Sequence, residues 1–128
     1  AELANDNNCD IAVRIHADGS TDPSVHGVSM LVPASNEFIT DSKLLSDSYS
    51  AGESVLNAVI ESTGAVNRGI IYRNDLTGFN WSTVPSILIE CGYMSNTSDD
   101  AKLADPEYQM LIAEGICQGL IEYFNNNL

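Results

Sequence analysis

The sequence predicts an α/β fold with three layers, in which a mixed, mostly parallel twisted sheet is flanked by helices. Short apolar runs typical of strands alternate along the 128 residues with longer segments of helical periodicity. The length is sufficient for one hydrophobic core and too short for two. No internal repeat, linker or low-complexity tract divides the chain. We therefore expect one domain over residues 1–128.

The first half of the chain is predicted to hold two strands and a long helix. The elements are, in order, the end of a helix over residues 1–5, strands over about 10–16 and 27–33, and a helix over about 41–62. Alternating apolar residues indicate that the second strand is half-buried or lies at an edge. Thr40 or Asp41 can cap the helix at its start. Gly52 interrupts the helix and predicts a kink, and Gly64 follows its end.

The second half is predicted to hold two more strands and two helices. The elements are, in order, a strand over about residues 69–72, a strand over 84–90, a brief helix ending near 103, and a last helix over about 106–124. Ser98 or Asp99 can cap the brief helix. Pro106 suits the first turn of the last helix, whose apolar residues recur on one face.

Composition excludes several classes of protein. A net charge of -13 with only five Lys or Arg argues against binding to nucleic acid, which requires clustered cations. It equally disfavours anionic membrane surfaces. No run approaches the ~18 apolar residues of a membrane-spanning helix, so we expect no membrane insertion. The three cysteines show no zinc-finger spacing, and Cys9 and Cys117 are expected to be small buried apolar residues.

Two predicted strands end in residues that can carry chemistry. Glu90 closes the apolar run 84–89 and is followed by Gly92 and a polar turn, while His16 closes the run 10–15. In open α/β sheets the chemistry lies at the carboxyl ends of strands. A carboxylate placed there is costly to desolvate unless a cation or a substrate meets it. The pair therefore suggests a metal ion and a general base.

Several segments, in order, carry a resemblance to a known family. They are Val-Arg-Ile-His-Ala-Asp at 13–18, Arg-Asn-Asp-Leu with Asn-x-Ser over 73–82, Val-Pro to Glu90 followed by Gly-Tyr-Met-Ser-Asn over 84–96, and the helical segment 99–124. With these segments the chain resembles, over nearly its whole length, the C-terminal two-thirds of the catalytic domain of zinc-dependent N-acetylmuramoyl-L-alanine amidases. These belong to the amidase-3 group of bacterial cell-wall hydrolases.

The resemblance implies hydrolysis of the amide between N-acetylmuramic acid and the L-alanine of the stem peptide in peptidoglycan. The family holds one zinc ion with two histidines and a glutamate, leaving a position for water, as catalytic zinc requires. By position, His16 would be a zinc ligand and Glu90 the general base and acid. Arg73, Asn80 and Asn96 would contact the substrate.

The chain departs from the family in its metal ligands. The first zinc histidine and the metal-binding glutamate have no counterpart, and only His16 and His26 are present. His26 lies in a loop, where a solvated histidine is expected. Since the chain opens on the end of a helix, we expect an N-terminal portion with a first strand and two zinc ligands to be missing. Either an upstream segment completes the site or these residues alone are inactive.

Each candidate residue also has a structural interpretation. Glu90 could pair with Arg14 or Arg73 instead of acting on a proton. Asp18 could orient the imidazole of His16 by accepting a hydrogen bond from it, as carboxylates next to metal-ligating histidines do. Alternatively, Asp18 could form a turn with the glycine after it. Arg73 could pair with an aspartate two residues later. The amides Asn80 and Asn96 could hold loops through bonds to the backbone.

Three functions from different classes remain. The first is the zinc amidase, and the second is a non-catalytic peptidoglycan-binding or regulatory module with the same fold. The third is a thiol hydrolase using Cys91 and His16. Because successive strand residues point to opposite faces, Glu90 and Cys91 cannot both face one site, which places this third function last.

Localisation and partners follow from the resemblance. The substrate lies outside the cell, so an extracellular or cell-wall location is expected, with autolysin, sporulation and endolysin roles all open. An acidic domain would be repelled by the anionic polymers of the wall. Wall-binding modules or the missing upstream segment are therefore expected as partners.

Overall fold

The computed structural model describes residues 1–127 as four strands and four helices. The strands are β1 (Ala12–Asp18), β2 (Val28–Pro33), β3 (Asn67–Arg73) and β4 (Ser86–Tyr93). The helices are α1 (Glu2–Asp6), α2 (Ser42–Thr63), α3 (Thr97–Leu103) and α4 (Pro106–Asn127). Strands and helices interleave along the chain, which confirms the predicted α/β class. No helix in the described part is both long and apolar enough to cross a membrane.

The four strands form one mixed sheet in the order β1-β4-β2-β3. β1 runs parallel to β4 and β2 runs parallel to β3, while β2 and β4 are antiparallel. β2 is therefore a central strand, and all six of its residues are buried. The expectation of a half-buried or edge strand was wrong, because β4 and β3 pair with its two sides and α2 packs on one of its faces.

The two long helices cover one face of the sheet. Asp41 caps α2 by accepting hydrogen bonds from the amides of residues 43 and 44, and Gly64 ends it with a left-handed φ of 69°. These two boundary predictions are confirmed. α2 runs through Gly52 as one continuous helix, so the glycine does not interrupt it, and a bend at this residue stays a prediction. A Cβ there would lie 2.8 Å from Cγ1 of Val32, so the glycine allows helix and sheet to approach closely.

Several predicted boundaries and burial states differ from the structure. β1 and β4 both continue past the predicted strand ends, so His16 and Glu90 lie inside strands. The cap of α3 is Asn96, whose side chain accepts a hydrogen bond from the amide of Asp99. Cys9 and Cys117 are exposed, which contradicts their predicted burial, because neither reaches the space between the helices and the sheet.

The opposite face of the sheet is only partly covered. A small apolar cluster packs the loops after β2 and before β4 against the face that α4 does not cover; its members are Leu31, Ile39, Leu44, Phe79 and Leu88. This cluster covers the end of the sheet at which β4 begins. The other end, where β1 and β4 finish, leaves His16 exposed. The candidate site lies on this uncovered part.

Candidate functional site

His16 and Glu90 are neighbours on the uncovered face of the sheet. The register of β1 and β4 places His16 opposite Glu90 and Arg14 opposite Leu88. The side chains of in-register neighbours on adjacent strands project on the same face of the sheet, as do those two residues apart in one strand. Leu88, two residues before Glu90, belongs to the apolar cluster on the face away from α4. The imidazole and the carboxyl group therefore share this face. Tertiary structure brings together the two residues that the sequence analysis singled out.

Glu90 has the environment of a proton-transfer group. It is 9 % exposed, and its Oε2 atom is buried without a hydrogen-bond partner in residues 1–127. Burial raises the pKa of Glu90 to about 7, the negative charge of Asp18 adds to the increase, and Arg14 opposes it. A carboxyl group with a pKa near neutrality can both accept and return a proton under physiological conditions. The structure gives Glu90 no ion-pair partner within hydrogen-bond distance.

His16 offers one imidazole to this face. Its side chain is exposed, and its ring makes no hydrogen bond within the described residues, so both ring nitrogens are accessible. A catalytic zinc site requires three protein ligands and an open position. No cluster of three or more His, Cys, Asp or Glu side chains suited to a metal ion occurs within residues 1–127. The described residues therefore supply part of a zinc site and not a complete one.

Asp18 is the last residue of β1 and forms a hydrogen bond with the backbone directly after it. Its Oδ1 accepts a hydrogen bond of 2.7 Å from the amide of Gly19. No hydrogen bond joins Asp18 to His16 in the described part of the chain. The influence of Asp18 on the site is electrostatic, because its negative charge raises the pKa of Glu90.

The backbone of Arg73 lies at the end of the sheet where β4 begins. Because β3 is antiparallel to β4, the carboxyl end of β3 lies beside the start of β4. The guanidinium of Arg73 forms two hydrogen bonds with the carboxylate of Asp75, at 2.7 and 2.9 Å. Hydrogen bonding to Asp75 raises the pKa of Arg73, and the negative charges of Asp75 and Asp18 add to the increase. This is the pairing that the sequence allowed as the alternative to a substrate contact. The substrate contact itself stays a prediction.

The two predicted amides both hold loops. Asn80 is buried, and its Oδ1 accepts a hydrogen bond of 2.8 Å from Nδ2 of Asn36. Asn96 caps α3 and donates a hydrogen bond of 2.9 Å to the carbonyl of Pro23. Asn96 lies at the same end of the sheet as Glu90, whereas Asn80 lies at the opposite end. Their roles in substrate binding remain predictions.

Cys91 points away from the site. Its side chain packs in the core between the sheet and the long helices, on the face opposite Glu90. Burial raises the pKa of the thiol to about 11, and the charge of Glu90 adds to the increase. A thiol with such a pKa is almost wholly protonated at neutral pH and is a poor nucleophile. The predicted opposite orientation of Glu90 and Cys91 is confirmed.

The second histidine is a loop residue. His26 is exposed, and its Nδ1 lies 3.0 Å from the carbonyl oxygen of Ser24. Its position in the loop between β1 and β2 fits the predicted solvated histidine. The structure gives no reason to treat it as a replacement zinc ligand.

One residue at the site was missed by the sequence analysis. Arg68 is the second residue of β3, and its guanidinium carbon lies 5.3 Å from the centre of the Tyr93 ring. An extra residue in β3, at Gly69 with a φ of 85°, shifts the register between Asn67 and Ile70. The extra residue places the side chains before it on the opposite face of the sheet from the one that strict alternation predicts. The sequence pattern alone does not show such a bulge.

The sequence and the fold of this chain are similar to those of known proteins. The sequence profile of the Amidase_3 family, described as N-acetylmuramoyl-L-alanine amidase, matches residues 1–122. The chain belongs to this family. An uncharacterized cell wall amidase of Bacillus anthracis is 31 % identical to this amidase-family chain over 128 residues, covering 96 % of the chain and 23 % of that protein.

Two solved structures of amidases share the fold of this amidase-family chain. An N-acetylmuramoyl-L-alanine amidase from Clostridium difficile 630 superposes with a TM-score of 0.86 at 27 % identity, over 98 % of the chain and 63 % of the solved structure. The amidase Ami1 from Mycobacterium smegmatis superposes with a TM-score of 0.87 at 27 % identity, over 98 % of the chain and 59 % of the solved structure. The chain thus spans less than two-thirds of each solved amidase.

Proposed function

We propose that this chain is part of a zinc-dependent amidase that cleaves the amide between N-acetylmuramic acid and L-alanine in peptidoglycan. The observation that carries the proposal is the buried, unpartnered carboxyl group of Glu90 beside the exposed imidazole of His16. Membership of the amidase family and the likeness to solved amidases support the reaction class. A cell-wall location follows from the same proposal.

Glu90 would act on protons at two points in the reaction. Its carboxylate form would take a proton from the water that attacks the scissile carbonyl carbon. Its protonated form would then deliver that proton to the nitrogen of the leaving L-alanine. The pKa of about 7 places both forms within reach at neutral pH. Glu90 is 9 % exposed, so a substrate would reach its carboxyl group from the side of the exposed His16 ring.

His16 would contribute one ligand to the zinc ion. Zinc bound there would acidify a water molecule and polarise the scissile carbonyl. Because residues 1–127 contain no complete set of donors, we propose that the other ligands come from polypeptide outside this sequence. Such donors would meet the exposed ring of His16 at the end of the sheet where β1 and β4 finish.

The structure has a surface on which such polypeptide could pack. β1 pairs only with β4 in the described part of the chain, so its outer backbone edge is free. Beside this edge lies an almost wholly apolar groove of about 310 Å³ between β1 and α4. Ile15, which lines the groove, is 61 % exposed. A strand added to this edge would cover apolar surface and lie next to His16.

The test is hydrolysis of purified peptidoglycan by the polypeptide that contains this sequence. Mass spectrometry would follow the release of peptides that begin with L-alanine. Glu90→Gln is expected to lower the rate at least a hundredfold, within the range attributed to general acid–base catalysis. The matched change Glu114→Gln, on the exposed surface of α4, should leave the rate unchanged. Full activity in the Glu90→Gln variant would overturn the proposal.

A non-catalytic peptidoglycan-binding module is the second candidate. The incomplete donor set favours it, because His16 is a single imidazole without further ligands in residues 1–127. Such a module would bind peptidoglycan equally well before and after Glu90→Gln and would show no hydrolysis in either form. Co-sedimentation with insoluble peptidoglycan, measured together with hydrolysis, separates the two functions.

A further inference from the structure

Arg68 reaches across the sheet toward the candidate site. Its side chain passes over Gly27 of the preceding loop and ends above the ring of Tyr93, at 5.3 Å from the ring centre. Its Nη1 donates a hydrogen bond of 3.4 Å to the carbonyl of His26. Gly27 has a φ of 110°, and a Cβ at that position would lie 3.2 Å from Cγ of Arg68. The glycine leaves the space along which the arginine extends.

Tyr93 links Arg68 to the face that carries Glu90. The register pairs His16 with Glu90 and then Asp18 with Tyr93, so β4 contains one extra residue between the two pairs. This bulge returns Tyr93 to the face shared by Asp18 and Glu90. The guanidinium of Arg68 therefore lies on the rim of the candidate site, at the end of the sheet where β1 and β4 finish.

The positive charge of Arg68 has only neutral partners. A tyrosine ring and a backbone carbonyl hold the guanidinium in place without compensating its charge. The ion pairs in residues 1–127 are Lys43 with Asp47 and Arg73 with Asp75. Arg68 is thus an exposed and unpaired cation in a molecule of net charge -13. A planar guanidinium is suited to forming two parallel hydrogen bonds with a carboxylate.

We propose that Arg68 binds a carboxylate of the stem peptide and so positions the substrate over Glu90. This inference rests on the proposed amidase function and assigns to Arg68 the contact that the sequence had suggested for Arg73. Arg73 forms an exposed ion pair with Asp75, and its backbone lies at the end of the sheet where β4 begins. Arg68 has no carboxylate partner in residues 1–127, and its strand position lies at the end that holds His16 and Glu90.

The test compares two soluble probes that differ only in charge. The probes are N-acetylmuramoyl-L-alanyl-D-glutamate with a free α-carboxylate and the same molecule with an α-carboxamide. Binding would be measured by calorimetry at low ionic strength in a Glu90→Gln background, which prevents turnover. We expect the carboxylate probe to bind about tenfold more tightly than the carboxamide probe, as a charge-assisted hydrogen bond implies.

The variants Arg68→Gln and Arg73→Gln form a matched pair. Arg68→Gln should remove the discrimination between the probes, while Arg73→Gln should retain it. Because Arg68 is exposed, thermal melting should be nearly unchanged, and Arg68→Lys should keep part of the discrimination through its charge. Equal binding of both probes before the change, or loss of discrimination in Arg73→Gln alone, would overturn the role of Arg68. Failure of both probes to bind at all would overturn the proposed function and this inference with it.

Discussion

His16 and Glu90 lie side by side on adjacent parallel strands, opposite each other in the register of β1 and β4. They are 74 positions apart in sequence, and the central sheet brings them together on the face that α4 leaves uncovered. Neighbouring strands are about 4.8 Å apart, so a metal ligand and a general base at these positions can act on one substrate. This relationship underlies the predictions below.

The buried carboxyl group of Glu90 should make stability depend on pH. The pKa of Glu90 is about 7 in the folded protein, against an ordinary value of 4.5. Between these values the folded state retains a proton that the unfolded state has released, so stability falls as pH rises from about 4.5 to about 7. The loss is at most about 3 kcal/mol. Urea unfolding of metal-free protein at a series of pH values measures it.

Glu90→Gln provides the control for this pH dependence. Gln cannot ionise, so the variant should lose less stability than the parent protein between pH 4.5 and 7. The variant should also be more stable than the parent at pH 8. If the two proteins lost stability in parallel across this range, the raised pKa of Glu90 would be wrong.

His16 should be the histidine that contributes to zinc binding. In the polypeptide that contains this sequence, His16→Ala should lower both the zinc content and the hydrolysis rate by at least tenfold, because one ligand of a three-ligand site is lost. His26→Ala changes an exposed loop residue and should alter neither. Elemental analysis before and after dialysis against a chelator gives the zinc content. Equal loss in both variants would argue against the assignment.

Asp99 should be essential for stability without contributing to catalysis. Its carboxylate is buried and accepts hydrogen bonds of 2.9 Å from the amides of Gly27 and Tyr93, which joins the loop before β2 to the end of β4. Asp99→Ala leaves two buried amides unpaired and should cost about 2–4 kcal/mol. Asp100→Ala, on the exposed side of α3, should cost little. Denaturant midpoints of the two variants would show the difference.

Gly119 should tolerate no larger side chain. A Cβ at this position in α4 would lie 2.4 Å from Cα of Val55 in α2, closer than any relaxed contact. Gly119→Ala should therefore force the two helices apart and destabilise the protein by about 1–3 kcal/mol, although alanine is the better helix former. Gln118→Ala, one residue earlier on the exposed surface, serves as the control. An unchanged melting temperature for Gly119→Ala would contradict the close packing of α2 and α4.

The three thiols should differ in reactivity. Cys9 and Cys117 are exposed and should react with iodoacetamide in the native protein, whereas Cys91 is buried with a pKa raised to about 11 and should react only after unfolding. Peptide mapping identifies the modified residues. Alkylation of the native protein should leave hydrolysis intact, and a loss of activity that follows modification of Cys91 would revive the thiol mechanism.

Much of the architecture could be predicted from local signals. The cap at Asp41, the left-handed glycine at Gly64 and the proline that starts α4 each act within a few residues, so their effects are visible in the sequence. Glu90 and His16 could be singled out for the same reason, since each is a chargeable residue at the end of an apolar run. Their common face could not be derived, because it depends on the register between strands distant in sequence.

The features of the structure that the sequence did not predict depend on packing between segments distant in sequence. Whether β2 is central or at an edge depends on which strands flank it, and nothing within its own six residues specifies this. The alternatives for Asn80 and Asn96 were likewise open, because their partners Asn36 and Pro23 were known only after folding. The bulge at Gly69 reversed the face of Arg68, and register shifts of this kind have no periodic signal.

The sequence by itself determined the fold class, the family and the two residues proposed for the centre of the candidate site, because hydrophobic periodicity, caps and short motifs are local properties. Only the tertiary structure decided that His16 and Glu90 share a face, that Cys91 does not, and that the guanidinium of Arg68 lies over the ring of Tyr93. The physical reason is that strand register and bulges are set by packing between distant segments, and a change of one residue moves a side chain to the other face of the sheet.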